Sequence, residues 1–412
     1  MQPASTRQAY LDWLRVLSIL AVFFLHAGMA FVEEWEWHLK NKETSNLLME
    51  VNFWLGRFRM PLLFFISGTV TFFMLKSRTT GAFIGLRFRR LFIPLVFGIL
   101  VIVPPQVYME RLTQGFNGNF ADFYPTIFTT GPYPAGNFSW HHLWFIVYLF
   151  LYDILFAPLL KWMMSEQGKE RLAFFNKLAK RQLVYWLAVP SVIAYTAMNL
   201  SFPETHDLIH DWSRHIYWLL FLMTGFICVN FPGLTDSLER NRRISFLLAF
   251  ASILCINYIR WNDLEPEDLI SNWRSDWRTY AYMSLFPITA WCWIFTAIGY
   301  GKKYLNKKHR IQNYINEAIY PFYILHQTII VIIVYYVLQS PDPVYGKFIF
   351  TFITSFVLIM CIYHLLIRPY DITRFLFGMK PKKKEAKPGV KNDAETAPVK
   401  TAATIPSAIQ IS

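Results

Sequence analysis

Apolar segments of roughly twenty residues recur along this chain, at about 10–32, 51–75, 91–108, 143–164, 183–200, 215–232, 244–260, 279–300, 318–338 and 345–368. A soluble domain cannot bury so many continuous apolar stretches. A helix of about 20 such residues matches the ~30 Å hydrocarbon layer of a bilayer and satisfies every backbone polar group internally. Charged residues make up only 16% of the chain, against about 25% in soluble domains. The pattern predicts an all-α, polytopic transmembrane helical bundle of about ten spans. Pro94, Pro104 and Pro105 in the third segment and Pro190 in the fifth predict kinks.

The loops alternate in charge. Basic stretches follow the second, fourth, sixth, eighth and tenth segments, as in KSRTTGAFIGLRFRR, ERNRR, GKKYLNKKHR and KPKKK. The intervening loops, among them EEWEWHLKNKE, FPETHDLIHD and RWNDLEPEDLISNWRSDWR, are acidic or mixed. Lys and Arg mark the cytoplasmic side, so both termini are expected in the cytoplasm. Residues 1–372 are expected to form the transmembrane domain, and 373–412 a basic, disordered tail whose lysines can touch anionic lipid. The first segment is too long for a cleaved signal peptide and reads as the first span.

The net charge of +13 is spread over separate short loops. That argues for membrane lipid, not nucleic acid, as the charged partner. Cys228, Cys255, Cys292 and Cys361 each stand alone in apolar sequence without ligand spacing, so no metal site is expected. No GxxxxGK[ST], Rossmann fingerprint, HExxH or GxSxG is present. A nucleotide-driven pump, a zinc protease and a serine hydrolase are therefore disfavoured.

Ionisable residues at membrane depth usually line a cavity or meet a partner. Arg15 and His26 lie eleven residues apart in the first segment. That separation is about three helical turns, so both share one face about 16 Å apart along the axis. Asp12 can pair with Arg15. His26 is the one residue of this span that can act as a neutral base near pH 7, removing a proton from a hydroxyl that attacks an acyl carbonyl. The plainer account makes Arg15 an interfacial anchor and His26 a helix–helix hydrogen bonder.

In the second segment, Arg57 and Arg59 precede Pro61. Arg59 can hold a carboxylate, an oxyanion or a sugar, or else pair with an acidic loop residue such as Glu33 or Glu50. Arg87 and Arg90, in LRFRRLFIPL, have the spacing to grip phosphate or to anchor the inner face. His141 and His142 stand between Trp140 and Trp144, where they can stack on a sugar or join an aromatic girdle. As adjacent residues the two histidines point to different sides and do not suggest a metal pair. Glu317 and His326 in the ninth segment are either further cavity residues or structural partners.

The ordered set LDWLRVLSILAVFFLHAG, RMPLLFFISG, RFRRLFIP, HLWFIVYLFLYD and YPFYILHQ resembles the membrane acyltransferase 3 family, within it the glucans biosynthesis protein C branch. The likeness covers roughly residues 8–370. It implies a multi-pass enzyme of the bacterial inner membrane that moves an acetyl or succinyl group from cytoplasmic acyl-CoA to a hydroxyl of an extracytoplasmic glycan, such as a periplasmic glucan. It implies no permanently bound cofactor; acetyl-CoA or succinyl-CoA is the donor substrate. The family's R-x10-H pattern falls on Arg15 and His26, and its R-x-x-R pattern on Arg87 and Arg90, which are then donor-side residues. With Arg59 these form the expected site; Asp12, His142, Glu317 and His326 are further cavity candidates. The competing class is a transporter or exporter of a glycan or small organic anion, which also has broken helices and buried charges. A third is a non-catalytic partner in envelope assembly.

Overall fold

Apolar side chains dominate long stretches of this sequence, and with little water-facing alternative their backbone closes into helices. The computed structural model describes residues 8–382. Among the described residues the regular structure is helical, apart from an isolated bridge between Pro132 and Phe138. Nine helical stretches among the described residues are long and apolar enough to cross a bilayer. They are α1 (Ala9–Phe31), α2 (Asn46–Lys76), α3 (Thr80–Thr113), α4 (His141–Met163), α6 (Trp212–Asn230), α7 (Arg242–Leu269), α8 (Trp277–Tyr304), α9 (Gln312–Val337) and α10 (Val344–Ile367). Each overlaps an expected segment.

The fifth expected span differs. Residues Leu183–Met198, here α5, begin as a six-residue 3-10 helix and continue as ten residues of α-helix. At about 2.0 and 1.5 Å per residue this rises roughly 27 Å, short of the ~30 Å apolar layer. Pro190 does not kink it. It sits in the first turn of the α-helical part, where its missing N–H removes nothing. Similar logic shapes α3: π-helical turns at Phe88–Phe92 and Gly98–Ile102 alternate with α-helix, and Pro94 and Pro104 open the α-helical parts.

Helices α1, α2, α6, α8 and α9 pack into the centre. The hydropathic window of α9 is 72% buried, whereas those of α7 and α10 are 22% buried. Leu247, Leu254 and Tyr258 of α7 and Ile349, Phe350, Ile353 and Val357 of α10 are exposed, as suits helices facing lipid. The tightest crossing joins α2 to α6. A Cβ at Gly68 would lie 1.8 Å from the Leu222 carbonyl oxygen, and one at Gly225 would lie 1.9 Å from that of Phe65. Small residues let membrane helices approach this closely.

After α10, Asp371–Leu376 form a short helix, α11, and Arg374 pairs with Glu317 on α9. Gly378 follows with φ +66°, and a Cβ there would meet the Arg90 carbonyl oxygen at 2.6 Å. Pro94, four residues on, has no N–H to give that carbonyl. The rest of the expected tail, 383–412, lies outside the described residues.

Candidate functional site

Two of the cavities among the described residues hold the expected site residues, and one side chain lines both. The first, about 400 Å³, is walled by α1, α2, the start of α4, α6 and the loop before α6. His26, Arg57, Arg59, His142, Glu204, His206 and Arg214 supply its polar surface. Trp35, Trp144, Tyr195, Tyr217, Trp218 and Phe286 supply its aromatic surface. The second, about 450 Å³, holds Arg15, Arg87, Arg90, Asn316, Glu317, Tyr320 and Lys380 among apolar residues. Tyr323 lines both.

His26 is oriented by a second histidine. The His326 ring is hydrogen-bonded through Nδ1 to the Tyr323 backbone carbonyl. A carbonyl only accepts, so Nδ1 carries the proton and Nε2 is bare. That bare Nε2 lies 2.9 Å from His26 Nδ1. In the neutral pair, His26 Nδ1 must then donate, which leaves His26 Nε2 as its basic nitrogen. The two rings are nearly parallel, 7° between planes. His142 donates from Nε2 to the Ile324 carbonyl at 3.0 Å, and its Nδ1 has no partner. Its ring stands 85° to that of His326.

Arg57 donates Nε–H to the Phe53 carbonyl at 3.3 Å, and its guanidinium lies over the Phe53 and Phe286 rings. Buried Arg59 Nε has no hydrogen-bond partner. The expected alternative, a pair with Glu50, is not formed, because Arg260 holds Glu50. Three guanidinium groups thus line one cavity, whose carboxylate, Glu204, is held by the third, Arg214, at 3.0 Å and by His206 at 3.1 Å. Glu204 lies in a loop outside the helices. Burial pushes its carboxyl up, but Arg214 and His206 outweigh this and bring it down to about 2.

In the second cavity, Arg15 donates from Nη2 to Asn316 Oδ1 at 3.0 Å and lies 3.7 Å from Asp12. Arg87 and Arg90 both reach this cavity. Arg87 is also committed to buried Asp153, at 2.7 Å, and donates to Thr71 Oγ1 at 2.7 Å. Glu317 meets Arg374 and, at 3.9 Å, Arg368.

The structure therefore brings His26, Arg59 and His142 together, and separately Arg15, Arg87, Arg90 and Glu317. Arg15 and His26 share a helix face as expected, yet each serves a different cavity. His326 stands behind His26 as its partner. Asp12 buttresses Arg15 and lines neither cavity. Sequence reading missed Asp153, Asn316 and Tyr323, whose partners come from distant helices. It also missed Glu204 and His206, in a loop without periodicity.

The sequence pattern of the family described as Acyltransferase domain matches residues 8–366. The glucans biosynthesis protein C of Salmonella schwarzengrund is 25% identical over 198 residues, 47% of this chain and 49% of that protein. The chain thus spans about half the length of that relative. The protein of the same name from Escherichia coli O1:K1 is 21% identical over 388 residues, 91% of this chain and 95% of its own length. No solved structure matches. The nine membrane-length helices and the match over residues 8–366 lead to one conclusion: this polytopic membrane protein belongs to the acyltransferase domain family.

Proposed function

We propose that the protein moves an acetyl or succinyl group from acyl-CoA, bound at the second cavity, to a glycan hydroxyl bound in the first. The observation that carries this is the hydrogen-bond order Tyr323 carbonyl, His326, His26, which leaves His26 Nε2 as the basic nitrogen of a residue lining the first cavity. The acceptor hydroxyl attacks the thioester carbonyl while His26 Nε2 takes its proton. Collapse of the tetrahedral intermediate breaks the C–S bond, and the proton passes to the departing CoA sulfur. Arg59, at the same cavity, stabilises the oxyanion. The aromatic walls suit a sugar ring. A succinyl carboxylate finds a cation in Arg57.

Arg87 and Arg90, which both line the second cavity, face the donor phosphates in this scheme, with Arg87 held in place by Asp153. Arg15 guides the pantetheine arm. The alternating loop charges support a cytoplasmic position for Arg87, Arg90 and Lys380; in this scheme α5 is the tenth, short crossing and both termini lie in the cytoplasm of a bacterial inner membrane. The relatives' name, glucans biosynthesis protein C, supports a glucan acceptor.

The test supplies labelled acetyl-CoA or succinyl-CoA and a periplasmic glycan fraction to membranes carrying wild type, His26→Ala or His142→Ala. Alkali-labile label on glycan in wild type and His142→Ala, but not in His26→Ala, is the expected result. Label that persists in His26→Ala and vanishes in His142→Ala transfers the base role to His142. Glycan relocated without a new ester means transport.

A further inference from the structure

Three polar side chains from separate segments converge outside both cavities. His38 belongs to the loop between α1 and α2, Glu110 to the last turns of α3, and His141 to the start of α4. One nitrogen or carboxylate oxygen from each lies within 4.8 Å of those of the other two. The side chains of His38 and Glu110 are only 8% and 5% exposed. We propose that His38, Glu110 and His141 bind one divalent cation of the zinc class.

Two nitrogens and one carboxylate oxygen, with a fourth position for water, are a donor set that zinc takes. His141 carries the argument furthest. Its Nδ1 is hydrogen-bonded to Ser139 Oγ, while its Nε2 is buried without a partner. A buried polar nitrogen left unmatched is costly; a metal ion satisfies it. The residue also holds φ +41°, a backbone region that side-chain-bearing residues rarely occupy.

The outer partners fit as well. A ligating histidine usually gives its other ring nitrogen to a hydrogen-bond partner. Ser139 does this for His141. Gln327 Nε2 donates to Gln106 Oε1 at 3.1 Å and lies 3.0 Å from His38 Nε2; with both carboxamides turned over, Gln327 would accept from an Nε2–H there. His38 Nδ1 already touches Glu110 Oε2. On binding, the His38 proton moves from Nδ1 to Nε2 by exchange with solvent, and Nδ1 and Oε2 turn to the ion. The other oxygen, Oε1, accepts from Tyr133 at 3.1 Å and from Gln114 at 3.3 Å. Arg111 lies 3.7 Å from Oε1, the side away from His38. Zinc ligands sit about 2.1 Å from the ion and hence about 3.4 Å from one another, so side-chain rotations of about 1 Å close the site. Gln327 directly follows His326, so a bound ion would tie the end of α3 and the start of α4 to the middle of α9 behind the histidine pair.

The test uses the full chain without an affinity tag, in detergent, stripped with chelator, loaded with zinc and freed of excess. Elemental analysis is expected to give about one zinc per chain in wild type. Binding should weaken at least ~tenfold in His141→Ala and in Glu110→Gln, and remain unchanged in His210→Ala, a surface control. Should a variant fold poorly, cobalt loading of wild type gives a second readout: a buried site of low coordination shows strong visible bands, and adventitious surface cobalt does not. Wild type without zinc, zinc equal in wild type and folded His141→Ala, or cobalt with surface-type bands each overturns the proposal.

Discussion

Replacing His326 by phenylalanine keeps a flat ring of similar size in a fully packed place and removes the nitrogen that receives the His26 Nδ1 proton. The lost contact is a buried hydrogen bond of 2.9 Å. Leaving its donor unmatched costs about 1–3 kcal/mol. If that interaction is fully needed in the transition state, kcat should fall about 5- to 150-fold, at 1.36 kcal/mol per tenfold. A larger loss, approaching ~10⁴, is expected if His26 adopts the other tautomer and presents a protonated Nε2 to the acceptor, as happens when the orienting group of a catalytic histidine is replaced. His326→Gln should recover much of the rate, since its amide oxygen can accept from His26 Nδ1. The assay follows acyl transfer to glycan at saturating donor, with both KM values measured. The loss should appear in kcat, because His326 lines neither cavity. Phenylalanine and glutamine variants of equal activity, or a phenylalanine variant within threefold of wild type, would refute the orienting role.

Further outcomes follow from packing and charge. Gly225→Ala must force α2 and α6 apart, since its Cβ would lie 1.9 Å from the Phe65 carbonyl oxygen. It should destabilise by at least ~1–3 kcal/mol in thermal unfolding, whereas Gly81→Ala, with nothing within 4 Å, should not. Arg87→Ala leaves Asp153 buried without its cation and should cost about 3–5 kcal/mol; the pair replaced together by leucines should regain most of that, and equal loss in both variants would contradict the ion-pair account. The Glu204–His206 contact should respond to pH. His206 is pulled down by burial but raised overall by Glu204, so its contribution is present below its ordinary 6.5 and fades as pH rises through the higher folded value. Glu204 contributes above its ordinary 4.5 and fades as pH falls toward about 2. Amide protection factors of residues 204–210 should therefore drop between pH 6 and 9 in wild type and stay flat in His206→Gln; a flat wild type would show that this pair does not hold the loop.

Hydropathy and loop charge made most of the fold legible, because bilayer thickness allows few lengths and few secondary structures. They could not show that α5 opens as a 3-10 helix and rises only about 27 Å. The site was legible where residues share one helix. Arg15 and His26 follow from helical phase alone. What phase could not show is that Tyr323 reaches in between, so that the two residues serve separate cavities. His326 was visible as a buried histidine, but its role depends on which ring nitrogen meets the Tyr323 carbonyl. Arg87 is similar. Its spacing from Arg90 suggests a phosphate clamp but not Asp153, far off in sequence, which holds it in place. His38 and Glu110 are separated by two spans, α2 and most of α3, and no local pattern links them to His141.

Tyr323 touches both cavities, and its hydroxyl is tied to the His142 backbone carbonyl. With the reaction divided as proposed, this ring is a partition between two aqueous compartments. Only the small acyl end need pass it, while the nucleotide end of the donor stays where it was loaded. The membrane can then export the chemical energy of a thioester without opening a path for protons or ions, and the cell keeps its electrochemical gradient while building on the far side.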